Sequence, residues 1–72
     1  MISAAQCWMA RAGLQWKVKQ LASAAGVSAP TIVRFEGGRS MPIPATLKTL
    51  RQAFEAAGVE FSADGQGVRL KG

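Results

Sequence analysis

Apolar residues recur every three or four positions over most of the chain, and every second position near its end. Ile2, Ala5, Met9 and Ala12 share one face at helical spacing, which predicts a first helix over about residues 3–12, loosened at its end by Gly13. Val18, Leu21 and Ala25 predict a short second helix over 17–25, and Gly26 stands where a helix ends in a left-handed residue. Val27 plugs the turn. Ser28 is a good N-cap for a third helix over 28–36, and Pro30 lies in its first turn, where a missing N–H does no harm. Ile32 and Phe35 turn that helix inward, and Gly37 and Gly38 stop it. Two prolines exclude helix from residues 39–44. Leu47, Leu50, Phe54 and Ala57 then predict a fourth helix over 44–57, with Gly58 as its stop. Val59 and Phe61 alternate about Glu60, and Val68 and Leu70 about Arg69, with Asp64 and Gly65 between them. That change of period predicts a β-hairpin over 59–70.

The 72 residues therefore read as one mainly α domain, four helices and a C-terminal hairpin, without repeats. A chain of this size buries only about 60% of its unfolded surface, so the core is thin. No apolar run approaches the roughly 20 residues of a membrane span. The opening residues lack a cationic leader followed by a hydrophobic block, so no signal peptide is expected. The lone Cys7 cannot form an internal disulfide and suits a reducing cytoplasm. An enzyme is not expected. The chain has no histidine, one cysteine without a base partner and no clustered carboxylates. Metal binding lacks ligands for the same reason, and no cofactor is expected.

Net charge is +5, unevenly spread: residues 1–54 carry seven Lys and Arg against the single acid Glu36, while residues 55–72 are near neutral. A basic body with a near-neutral tail is the footprint of a polyanion binder, although charge taken alone fits simple solubility equally well.

The segment LASAAGVSAPTIVRFEGG, residues 21–38, places two short helices about a tight turn. It resembles the Cro/C1-type (XRE family) helix-turn-helix regulators over about residues 3–57. The resemblance implies a compact four- or five-helix domain that binds duplex DNA as a transcriptional regulator or repressor, with helix 28–36 in the major groove. By position, it assigns base contacts to Ala29, Pro30, Thr31, Val33 and Arg34. It assigns phosphate contacts to Lys17, Lys19, Ser28 and Arg39, and a structural ion pair to Arg11 and Glu36.

The chain departs from that pattern in informative places. The family commonly opens its second helix with Ser-Gln, where this chain has Lys17 and Val18. Ala29 and Pro30 offer only apolar contact, for instance to a thymine methyl, which leaves Arg34 as the one groove-facing group able to hydrogen bond a base bidentately. A single strong reader implies modest specificity, for which a homodimer is the usual remedy. Trp8 stands where small relatives often have Arg. It is expected to fold onto the fourth helix or hairpin of its own chain; exposed, it would be an interface anchor. Trp16 and Cys7 read as core. The rival function is a protein-binding module on the same scaffold, an antiactivator or antitoxin acting on another regulator.

Overall fold

The computed structural model describes residues 2–71. Four helices, α1 (Ala4–Gly13), α2 (Val18–Ala25), α3 (Ala29–Glu36) and α4 (Pro44–Ala56), precede strands β1 (Val59–Phe61) and β2 (Val68–Leu70). The strands pair antiparallel, Val59 opposite Leu70 and Phe61 opposite Val68. α2 packs on α3 and α4, α1 on α3, and the hairpin lies along α1 through β2 and along α4 through β1. No helix among the described residues is long and apolar enough to cross a membrane.

The expected inward residues of the later elements meet in one core: Leu21, Ile32, Phe35, Leu47, Leu50, Phe54 and Val59 are all buried. Each large apolar side chain enclosed in this way contributes roughly 1.5–3 kcal/mol. Trp16 is half-buried and stacks on Phe54 with ring centroids 6.1 Å apart, and Phe61 meets Phe54 edge-on at 5.9 Å.

The first helix corrects the reading of its face. Ile2 is buried, but Ala5 and Ala12 are exposed and Met9 is half-buried; the inward positions belong to Gln6, Cys7 and Ala10. The helix is thus rotated by about one residue from the apolar stripe, because a polar side chain takes an inward place. Gln6 is 1% exposed and every polar atom on it is satisfied. Its Nε2 donates to the carbonyls of Ser62 (3.1 Å) and Gly67 (3.0 Å), and its Oε1 accepts from the Ser3 N–H at 3.0 Å. Ser3 in turn caps α1 by accepting from the Gln6 N–H and donates its hydroxyl to the Gly65 carbonyl at 2.8 Å. The hairpin loop is therefore fastened to the start of α1 by hydrogen bonds. A two-stranded hairpin alone is marginal in water, and these bonds are part of what holds it.

α1 ends at Gly13. Gly13 closes the helix without a left-handed turn; Gln15 supplies it, at φ 58°. A Cβ placed on Gly13 would rest 3.4–3.7 Å from the Leu70 side chain, an ordinary contact. Left-handed backbone costs a side-chain-bearing residue about 1–2 kcal/mol.

Two stability predictions follow from this geometry. Gln15→Gly relieves the left-handed strain, partly offset by glycine's greater chain entropy, and raises unfolding free energy by up to about 1 kcal/mol in urea denaturation. Gln6→Met removes the amide's bonds to two hairpin carbonyls, each of which keeps a donor within the hairpin, and takes the acceptor from the Ser3 N–H. It lowers unfolding free energy by about 1–3 kcal/mol; an unchanged midpoint would show that water replaces the amide at no cost.

Candidate nucleic-acid interface

The turn between α2 and α3 is made by Gly26, left-handed at φ 67°, with the Val27 N–H returning to the Ala22 carbonyl at 3.1 Å. Lys17 precedes α2 as its N-cap residue and donates its N–H to Gln20 Oε1 at 2.6 Å; its ammonium, which has no acceptor, takes no part in the capping. Ser28 caps α3, accepting from the Thr31 N–H, and its hydroxyl is shared with the Thr31 hydroxyl at 2.7 Å. Both hydroxyls are thereby partly engaged with each other.

Ile32 and Phe35 fasten α3 to the core. At about 100° per residue, Pro30, Val33, Arg34 and Gly37 fall on the opposite face, and all four are exposed, Val33 to 56%. Ala29 borders this face and is half-buried, as is Thr31 on the other border. The sequence-assigned base-contacting residues thus divide into an exposed trio and two margins.

The acid nearest this face is neutralised. Glu36, its side chain 8% exposed, takes a two-pronged hydrogen bond from Arg11: Nε to Oε2 and Nη2 to Oε1, both 2.9 Å. Arg11 Nη1 also donates to the Trp16 carbonyl at 3.0 Å, tying the entry of α2 to the same group. The Glu36 hydrogen bonds hold the Arg11 guanidinium above its ordinary pKa, so it stays charged. Cys7 adds a contact that spacing alone did not announce, with Sγ 3.4 Å from Glu36 Oε2. Burial first, and the adjacent carboxylate second, push the thiol pKa far up. The thiol therefore remains a protonated donor and an inert part of the core.

Cations divide the same way. Arg51 pairs with Glu55 at 3.1 Å and Arg69 with Glu60 at 2.9 Å, both on the surface. Such exposed pairs contribute under about 1 kcal/mol each. Lys17, Lys19, Arg34 and Arg39 are exposed and make no salt bridge among the described residues. Among the described residues no cluster of three or more His, Cys, Asp or Glu is placed to hold a metal.

Trp8 lies elsewhere and corrects a further expectation. It is 55% exposed and does not fold away onto α4 or the hairpin. The rotation of α1 is the cause: with Gln6, Cys7 and Ala10 inward, position 8 points to the far side of the helix, alongside exposed Ala5 and Ala12. No protein-family model matches the chain, and no curated protein matches it in sequence.

The Arg11–Glu36 geometry carries its own test. Arg11→Met strands a buried carboxylate and should cost about 3 kcal/mol or more, whereas Arg11→Met combined with Glu36→Gln should recover a good part of the loss. Equal losses in the single and double variants, measured by urea denaturation, would mean the pair is not coupled.

Proposed function

We propose that this protein is a cytoplasmic, non-catalytic regulator of the Cro/C1 type that binds duplex DNA sequence-specifically, with α3 in the major groove. One observation carries the reading: α3 is pinned to the core by Ile32 and Phe35 and presents an exposed outer face whose only charged group is Arg34, which makes no salt bridge among the described residues. A helix so presented matches the roughly 12 Å width of the groove. In this arrangement Arg34 reads guanine, and Ala29, Pro30, Thr31 and Val33 meet neighbouring base edges. Lys17, Lys19, Ser28 and Arg39 grip phosphates, the three cations by charge and Ser28 as far as its capping allows.

One strong reader per chain favours a homodimer on two half-sites, with α1 or the hairpin as the surface of self-association. Trp8 favours a second reading. A tryptophan 55% exposed beside Ala5 and Ala12 is an apolar anchor, and it supports a protein-binding module directed at another regulator.

Salt separates the two. DNA binding weakens steeply as salt rises; an interface centred on Trp8 does not. Arg34→Ala should cost about 1–3 kcal/mol on a selected duplex and relax one base-pair preference. Lys17→Ala, Lys19→Ala and Arg39→Ala should each weaken all duplexes alike and lower the salt slope by about one unit. Titrations on selected and scrambled duplexes at two salt concentrations measure both. An unchanged ratio for Arg34→Ala would rule out this docking, and no binding at low salt would leave the protein-partner reading in its place.

A further inference from the structure

The outer face of α3 is chemically narrow. Adenine is read bidentately by Asn or Gln and cytosine is accepted from by Asp or Glu. The helix contains no Asn, Gln, Asp or Lys, and its only acid, Glu36, is held by Arg11 at 2.9 Å. Thr31 is half-buried as a residue, and its hydroxyl is bonded to the Ser28 hydroxyl at 2.7 Å. Apart from Arg34, what the face offers a base edge is carbon: the Val33 isopropyl group, the Pro30 ring and, at the margin, the Ala29 methyl. Val33 is one of five large hydrophobic residues left exposed among the described residues, and it alone of the five stands on α3.

A carbon surface beside a cation has one natural counterpart in the major groove. The only apolar group there is the 5-methyl of a pyrimidine, present on thymine and on 5-methylcytosine. With Arg34 on a base, the exposed Lys17, Lys19 and Arg39 supply the attraction to the phosphates. From Pro30 to Arg34 the helix rises about 6 Å, under two base-pair steps of 3.4 Å.

We infer that α3 recognises a pyrimidine 5-methyl group through Val33 and Pro30, within about two base pairs of a guanine held by Arg34. The inference rests on the DNA-binding reading and sharpens it. Specificity would come from one bidentate hydrogen-bonded pair and one or two methyl contacts, with no polar reader of adenine or cytosine.

The experiment uses the full chain and a duplex selected by it from a random pool. Each thymine near the required guanine is replaced in turn by deoxyuridine, and each cytosine there by 5-methylcytosine. Thymine recognition predicts about fourfold weaker binding on replacement by uracil at the contacted position, the effect of one buried methyl-sized group. Recognition of 5-methylcytosine predicts a gain of about fourfold where a cytosine acquires the methyl. Val33 is exposed, so Val33→Ala should fold normally and reduce either effect below twofold. Methyl changes that leave binding within twofold at every position overturn the inference while the DNA reading stands. A methyl effect that survives in full in Val33→Ala overturns it as well. Recovery of no duplex at low salt overturns both.

Discussion

A buried carboxylate must be neutralised, and in this domain that requirement joins three helices. Glu36 closes α3, Arg11 comes from the last turn of α1, and the Trp16 carbonyl that Arg11 also holds leads into α2. A two-pronged guanidinium fits a carboxylate in a way lysine cannot, so geometry as well as charge is specified. The Cys7 thiol, kept protonated by burial, takes its place beside the same oxygen. Pairs of this kind are weak sources of net stability but strong sources of penalty when broken. The effect at the surface is equally important: with Glu36 withdrawn, α3 carries no free negative charge next to Arg34. The proposed groove-facing surface is basic because its one acid is occupied inward.

Gln6 performs the corresponding task at the other end of α1. Its amide reaches two hairpin carbonyls, and Ser3 reaches a third. A polar residue in the core costs little when all its bonds are made, and it specifies where the hairpin docks more sharply than an apolar contact would. The consequence is felt across the helix. Turning Gln6 inward turns Trp8 outward, which creates the exposed apolar surface that favours a protein partner or a second copy. The two proposed readings of this protein thus rest on different faces, the outer side of α3 and the outer side of α1.

Most of the helical plan was legible in the residues. Stripes such as Val18, Leu21 and Ala25 or Leu47, Leu50 and Phe54 consist of carbon alone, and periodicity reports such faces faithfully. Gly26, Ser28 and Pro30 encode the turn and the start of α3 through backbone preferences that act locally. The Arg11–Glu36 contact came from the family resemblance rather than from spacing, and the two groups stand 2.9 Å apart. The face of α1 was not legible, since hydrophobic period assumes that polar residues point to water and Gln6 does not. The left-handed Gln15 was not legible either, since glutamine has no local preference for that backbone.

Sequence by itself determined the number of helices, the change of period at Val59, the basic bias of the first three quarters and the carbon-rich outer face of α3. These are properties of single residues and of their neighbours along the chain. Only the tertiary structure decided which way α1 is turned, that Trp8 is exposed, and that Cys7 joins the Arg11–Glu36 pair. Each of those depends on a partner distant in sequence: Gln6 finds its acceptors at Ser62 and Gly67, and Cys7 finds Glu36. A polar side chain goes inside only where such partners are waiting, and their positions exist only once the chain has folded.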